Sequence, residues 1–413
     1  MGKGLLVRVA TVGCRLNQAE SDCLRGWLQT QGATLSADDT LVPDVYYVNT
    51  CAVTANAERR SLAVIRAACR LRPKPRVIVL GCLAARAPAL VRAIPGVDQV
   101  LSTSAKCKLL SGTVPLPARS RALLKVQDGC DRTCSYCIVR LLRGKPVSVP
   151  PEQVLNQFKQ LLSSGYQEIV LTGLNLGSYQ HGRTDLAGLL AQLLRVPGRF
   201  RLRLTSIEPD LWNDELLTLI ADPKICAHFH LPLQAGDDPL LQRMNRRYLT
   251  SDYARLLRKI LAVKPDACLG ADLLVGFPGE DESSFERTRR FLDSTPLHYL
   301  HIFPYSPRPK TPSYTAGDPI PAGVKQQRVH TLRQWSEKRR RLYAARFFGT
   351  VREAVLEPGG KALTDNYLRI TYSNRPPNCP PGALVKVLLH NEQNGTITGT
   401  ILTEQDPLGG EKI

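Results

Sequence analysis

The sequence predicts an α/β protein in three parts: an N-terminal doubly wound parallel sheet, a central (βα)6 partial barrel and a small C-terminal antiparallel β-barrel. Three observations predict it. Short β-branched runs alternate with helical patterns over most of the chain, the signature of parallel sheets with crossover helices. A stretch with six prolines, Pro304 to Pro321, ends that alternation. Beyond it come short strands separated by turns.

In the first part the strand runs are Leu5–Val12, Asp44–Val48, Arg76–Leu80 and Gln99–Leu101, with helices such as Ser21–Gln31 and Ala57–Arg70 between them. Crossovers of that length build a doubly wound sheet. A proline-containing link, Ser111–Ser120, leads to a second series: Ala122–Gln127, Glu168–Thr172, Arg201–Thr205, His228–Leu233, Leu269–Val275 and Tyr299–Phe303. Helices fit its gaps. Glu152–Ser163 follows a Pro-Pro start, Asp252–Val263 follows a Thr-Ser cap, and Ser283–Leu292 is a third. Six such units make an open barrel, two short of the closed eight-stranded form. A basic helix, Val324–Phe348, precedes the last strands: Thr350–Leu356, Tyr367–Tyr372, Leu384–Leu389 and Asn394–Leu402. These suggest a barrel of oligonucleotide-binding type. The expected boundaries are 1–113, 114–346 and 347–413.

Hydrophobic content of 43% and charged content of 22% are those of a water-soluble globular protein. The first residues carry no apolar run long enough for a secretory signal, and no stretch approaches the roughly 20 apolar residues of a membrane span. A cytoplasmic protein with no membrane partner is expected. Twelve cysteines in such a chain argue for metal binding or reactive thiols, because the cytosol keeps thiols reduced. The net charge of +19 is unevenly spread: +8 over residues 1–113, +12 over 114–346 and −1 over 347–413. It fits either a solvated surface or nucleic acid binding across the first two parts.

Gly129-Cys130-Asp-Arg-Thr-Cys134-Ser-Tyr-Cys137 gives the spacing C-x-x-x-C-x-x-C directly after a strand. Three thiolates on one short loop can bind three irons of a 4Fe-4S cube, leaving the fourth for a small molecule. S-adenosylmethionine (SAM) offers an amino and a carboxylate group to chelate it. A fragment of a zinc site is the alternative, but zinc loops pair C-x-x-C units and no second one exists here.

Cys14, Cys51 and Cys82 are far apart in sequence, yet each ends a predicted strand. In a parallel sheet those ends share one edge, where ligands bind. The three are therefore expected to converge on a second site, with three buried thiols as the bland alternative. Cys23, Cys69, Cys107, Cys226, Cys268 and Cys379 have no comparable placement and read as packing residues. The barrel strands end in polar or Gly-rich turns: Thr172-Gly-Leu-Asn-Leu-Gly177, Ser206-Ile-Glu208, Gln234-Ala-Gly236 and Gly276-Phe-Pro-Gly-Glu280. Active sites of βα barrels form at that edge.

With both cysteine sets in place, the chain resembles a radical SAM methylthiotransferase over nearly its whole length. Thr11-Val-Gly-Cys-Arg-Leu-Asn-Gln-Ala-Glu-Ser21, Asn49-Thr-Cys-Ala-Val-Thr54, Thr172–Gly177 and Ser206-Ile-Glu-Pro209 bring it nearest the branch acting on threonylcarbamoyladenosine in tRNA. The resemblance implies a methylthiotransferase N-terminal domain, a radical SAM core and a C-terminal TRAM domain. It implies two 4Fe-4S clusters and SAM. The cluster at Cys130, Cys134 and Cys137 would cleave SAM to a 5′-deoxyadenosyl radical that takes hydrogen from carbon-2 of the modified adenine. The cluster at Cys14, Cys51 and Cys82 would carry the sulfur, methylated by a second SAM. Tyr136 would back the adenine of SAM, with Gly173, Asn175, Glu208 and Gln234 near its methionine and ribose. Implied partners are tRNA, an electron donor of flavodoxin or ferredoxin type and a sulfur source. Two positions depart from the family: Arg140 stands where a proline is usual, and Val147 where an arginine precedes Ser148. The competing readings are the same chemistry on another tRNA adenosine or a ribosomal protein, and a non-catalytic two-cluster electron carrier or redox sensor.

Overall fold

The computed structural model describes residues 4–36, 40–117, 119–372, 374, 379–393 and 395–403. Five parallel strands form the first sheet: β1 (Leu6–Thr11), β2 (Thr34–Leu35), β3 (Val45–Thr50), β4 (Arg76–Gly81) and β5 (Val97–Val100), in the order β2-β1-β3-β4-β5. Val48, Val77, Val79 and Leu80 are fully buried because helices cover both faces. The winding reverses between β1 and β3, so a crevice opens at their carboxyl ends.

Helix α1 (Arg15–Thr30) begins six residues before the predicted Ser21. Leu24 and Leu28 pack on the sheet with Val7 and Ile78, while Ala19 packs on Leu123 and Val170 of the central barrel. The helix is clamped between two parts and buries Asn17, Glu20, Ser21 and Asp22 as well. A helix covered on both sides lacks the single apolar stripe by which helices are read. Helix α2 (Ala55–Arg70) is conventional: Thr54 caps it, accepting from the Ala57 amide at 3.1 Å, and Ser61, Ile65 and Ala68 face inward.

The six predicted barrel strands are present as β6 (Ala122–Lys125), β7 (Glu168–Thr172), β8 (Arg201–Leu204), β9 (His228–His230), β10 (Cys268–Val275) and β11 (Tyr299–Pro304). They form two parallel triplets, β8-β7-β6 and β9-β10-β11, joined where Leu202 pairs with Ile225. Helices α3 (Pro151–Ser163), α4 (Leu186–Leu194), α5 (Thr250–Val263) and α6 (Glu282–Ser294) cover the outside through Phe158, Leu190, Leu257 and Leu292. On the other face of β7 and β8 lie Glu168, Arg201 and Arg203, all buried. Arg201 Nε and Arg203 Nε donate to Glu168 at 2.7 and 2.8 Å. Their remaining donors reach backbone carbonyls of the C-terminal part, at Glu353, Leu363, Thr364 and Asp365.

Helix α7 (Ala322–Ala345) leads to a closed five-stranded barrel: β12 (Val351–Glu357), β13 (Lys361–Thr364), β14 (Arg369–Tyr372), β15 (Leu384–Gln393) and β16 (Thr396–Ile401). Strand β13 is additional to the four read from sequence. Four pairings are antiparallel, and β14 runs parallel to β16, with Ile370 opposite Ile397. Asn394, the predicted start of the last strand, lies outside the described residues, as do 404–413.

Candidate active site

The loop carrying Cys130, Cys134 and Cys137 follows β6 and is held from several sides. Cys130 N–H donates to Gly144 O at 3.0 Å, Ser135 N–H to Met244 O at 3.1 Å, and Asn245 Nδ2 to Thr133 O at 3.0 Å. The three thiols lie close enough to act on one another electrostatically. Burial pushes Cys137 up to about 12, so the metal-free thiol is protonated at neutral pH and loading releases a proton. Arg246 donates to Cys134 Sγ at 3.2 Å and ion-pairs with Glu208.

Cys14, Cys51 and Cys82 do converge. Each follows a strand at the crevice between β1, β3 and β4; Cys51 lies close enough to feel the charge of Cys82 and Cys14, and Cys14 that of Cys82. Gly13 shows how tightly they are set: at φ +121°, an added Cβ would lie 2.7 Å from Cys51 Cβ and 3.2 Å from its Sγ. Burial pushes Cys51 up to about 11. Among the described residues, only His230, Asp272 and His301 bring three ligand atoms within 4.8 Å of one another. Neither cysteine set is that tight. The all-thiol donors and wider spacing suit iron–sulfur cubes rather than a single zinc ion.

Arg143 ties the two regions together. Its guanidinium donates to Glu20 at 2.5 Å, Asn17 Oδ1 at 2.6 Å, Asp128 at 3.2 Å and Cys82 Sγ at 3.3 Å. Lys106 and Lys125 also reach Glu20, at 2.7 and 3.0 Å. Burial alone would raise Glu20, but Lys125, Lys106 and Arg143 hold its carboxyl well below the usual range. The polar face of α1 that hid the helix in the sequence is this network.

Two cavities lie between the first sheet and the barrel mouth. One, of about 380 Å³, is lined by Cys14, Arg15, Gly173, Thr205, His228 and Asp272, among others. The other, of about 270 Å³, is lined by Val53, Thr54, Tyr136, Cys137, Gln234 and again Asp272. Tyr136 and Gln234 thus share a cavity with a loop cysteine, whereas Gly173 faces the one holding Cys14. Gly173 leaves no space for a side chain, since a Cβ there would meet Gln127 Oε1 at 2.8 Å. Asn175 is buried with neither side-chain amide atom hydrogen-bonded, a pair of orphans that a polar cofactor would satisfy. Glu208 is engaged by Arg246 and lines neither cavity. Arg140 is exposed on a short helix, Val139–Arg143, and Val147 is exposed in a two-residue pairing with Asp128, so neither departure disturbs a cysteine.

Several polar residues of the site escape a motif reading. Arg246, Asp272, His230 and His301 are remote in sequence from the cysteines they approach: His230 ends β9, Asp272 and His301 lie within β10 and β11, and Arg246 follows a short helix, Asp238–Arg243. The predicted basic run on α7 also divides. Arg339 donates to Leu297 O at 3.0 Å and to Thr295 O, so its guanidinium is used within the fold. Arg340 lies over the Tyr299 ring, and Arg341 is exposed beside Glu392.

Comparison with known proteins agrees with this architecture. Residues 124–292 match the Radical SAM superfamily, and residues 6–102 match Uncharacterized protein family UPF0004. The chain is 35% identical over 402 residues to the threonylcarbamoyladenosine tRNA methylthiotransferase MtaB of Bacillus subtilis, covering 88% of this chain and 89% of that protein. It is 33% identical over 413 residues to the MtaB of Aquifex aeolicus, covering 93% of this chain and 100% of the relative. The tRNA-2-methylthio-N(6)-dimethylallyladenosine synthase of Corynebacterium diphtheriae is 31% identical, with 98% and 86% covered. Among solved structures, the radical S-adenosylmethionine methyltransferase TsrM of Kitasatospora setae superposes with a TM-score of 0.56 at 15% identity, over 76% of this chain and 77% of that one. That likeness concerns the fold alone. An all-thiol loop at a βα-barrel mouth, a second thiol set at the edge of the first sheet and relatives matched over most of their length lead to one assignment: the chain belongs to the radical SAM methylthiotransferase family, whose members use SAM and a 4Fe-4S cluster.

Proposed function

We propose that the protein adds a methylthio group to carbon-2 of N6-threonylcarbamoyladenosine next to the anticodon of tRNA, using two 4Fe-4S clusters. The observation that carries this reading is the 380 Å³ cavity, which has Cys14 on one wall and Gly173, from the turn after β7, on the other. A base seated there lies beside Cys14, and Asp272 also lines the neighbouring cavity that holds Cys137. Cys130, Cys134 and Cys137 would hold one cluster, and Cys14, Cys51 and Cys82 the other. When bound, the clusters and SAM supply the radical cleavage and the sulfur. The protein's own part is alignment: Tyr136 and Gln234 shape the SAM cavity, Asn175 keeps a buried, unpaired amide in the turn after β7, and Arg143 fixes the spacing between the two regions. The similarity to relatives named for this substrate favours threonylcarbamoyladenosine over the dimethylallyl form.

A groove of about 660 Å³ between α7 and the C-terminal barrel, lined by Arg340, Arg341 and Arg369, shares Tyr299 and His301 with the base cavity. It gives the flanking RNA a path. We assign the three expected domains, 1–113, 114–346 and 347–413, to sulfur delivery, radical generation and RNA support (the TRAM role). Proposed partners are a flavodoxin- or ferredoxin-type reductant and a sulfur source, and the proposed location is the cytoplasm. Among the described residues no helix is long and apolar enough to cross a membrane. The test is nucleoside mass spectrometry of tRNA from cells lacking the protein: threonylcarbamoyladenosine accumulates and its methylthio form disappears. An unchanged nucleoside profile with an altered ribosomal protein mass would overturn the reading.

A further inference from the structure

The wall of the base cavity is largely apolar, with a few polar and charged side chains set into it. Thr205 and His228 line it and are at least nine-tenths buried, and Thr205 Oγ1 and His228 Nδ1 have no hydrogen-bond partner. His228 Nε2 is already engaged by the Tyr299 hydroxyl at 2.8 Å, so the free nitrogen is the one left for a ligand. Asp272 is the cavity's carboxylate, and it is shared by His230 at 3.2 Å and His301 at 3.4 Å. Arg15 supplies the remaining full charge. Its guanidinium donates to the Tyr367 hydroxyl at 3.2 Å and has no carboxylate partner among the described residues. It sits at the first position of α1, where the helix dipole adds to the attraction for an anion. A cation without a counter-charge, beside two unsatisfied buried polar atoms, describes a receptor for a ligand both anionic and hydroxylated.

We infer that this cavity reads the N6 substituent of the target adenosine, with Arg15 taking a carboxylate and Thr205 and His228 serving its hydroxyl and amide groups. The inference rests on the tRNA-adenosine reading above and deepens it. A threonylcarbamoyl group carries a carboxylate, a hydroxyl and a urea-like amide; a dimethylallyl group carries none of them. Seating the apolar group would bury Arg15, Thr205 and His228 unpaired, which is how a polar site rejects a substrate lacking its partners. Arg15 is thereby a specificity-determining residue next to a cluster cysteine.

The test uses the reconstituted full-length enzyme and synthetic anticodon stem–loops carrying the threonylcarbamoyl group, its carboxamide analogue or the dimethylallyl group. The wild type is expected to favour carboxylate over carboxamide by roughly tenfold to a hundredfold in kcat/KM, the span of one charged hydrogen-bonded pair. Arg15→Gln should lose that factor on the carboxylate and treat the two analogues alike, while Arg15→Lys recovers part of the preference. The salt dependence of binding should not move, because the lost partner is no phosphate. A slope lower by about one, with both analogues weakened equally, would assign Arg15 to the RNA backbone and overturn the inference. So would a Gln variant that keeps the wild-type preference. If Arg15→Gln loses iron, the Lys variant and the wild-type preference decide. Product from the wild type with no preference overturns the receptor alone. No methylthio product on any stem–loop overturns the substrate reading and the receptor with it.

Discussion

The loop of Cys130, Cys134 and Cys137 and the crevice of Cys14, Cys51 and Cys82 offer the same three thiols by opposite means. The first has all its thiols within eight consecutive residues, on a loop that neighbouring segments hold in place. The second needs three strands, their order and the reversal between β1 and β3. Local sites persist through partial unfolding, whereas assembled sites report on the whole unit that builds them. The second site also borrows Arg143 from outside its own sheet, so its integrity is a property of two parts of the molecule.

Replacing cysteines separates the two most sharply. Anaerobic reconstitution should give about eight irons per chain, as two cubes require. Changing Cys130, Cys134 and Cys137 to Ala should leave about half the iron and no 5′-deoxyadenosine in a dithionite assay. Changing Cys14, Cys51 and Cys82 should also leave about half, yet SAM cleavage persists without methylthio product. Stoichiometric zinc, or loss of cleavage from the second set alone, would break the comparison.

A smaller but more telling change is Arg143→Met. It removes one partner from a buried cluster holding Glu20 and Asp128, and should cost about 3–5 kcal/mol in denaturant unfolding. Iron should leave the strand-end site selectively. Arg246→Met, at the loop site, should cost only about 1–3 kcal/mol, because Glu208 keeps partial access to water. Equal losses at both sites would mean that the loop is as dependent on its surroundings as the crevice.

Acid gives a third contrast, away from both sites. Burial alone would raise Glu168, but Arg203 and Arg201 hold its carboxyl well below the usual range. A depressed folded value means the stabilisation is complete above the ordinary glutamate pKa of about 4.3 and is lost as pH falls below it. Stability of the metal-free protein should therefore drop below about pH 4, and Glu168→Gln should flatten that part of the profile. The smallest expected effect is Arg340→Gln with Arg341→Gln, which should lower the salt slope of tRNA binding by one to two. Arg339→Gln, whose parent side chain is bound to Leu297 and Thr295 carbonyls, should destabilise α7 and leave the slope alone.

What could be read in advance follows the same division. Cys130, Cys134 and Cys137 are legible because their spacing is the geometry. Cys14, Cys51 and Cys82 are legible one step later, because parallel topology places strand ends on one edge. The start of α1 is not, since its first two turns bury Asn17 and Glu20 in a network with residues about 100 positions away. Strand β13 is four residues long after the Gly359-Gly360 turn, too short to show alternation. Arg15 lies inside the Thr11–Ser21 motif with no role legible for it, and Thr205 and His228 carry no pattern, because a cavity is defined by what surrounds it rather than by neighbours in the chain.

Tyr367 carries a consequence of its own. It belongs to the turn before β14, yet its ring stacks on His228 at 3.8 Å and its hydroxyl accepts from Arg15. Together with the Arg201 contacts to Glu353 and Leu363 and the Arg203 contacts to Thr364 and Asp365, this makes the C-terminal barrel the stopper of the proposed catalytic chamber. It is therefore not a detachable module. A chain cut at residue 346 opens the chamber from below, so its lost activity cannot be equated with lost RNA grip, and a homologous barrel grafted in its place must bring a matching aromatic plug.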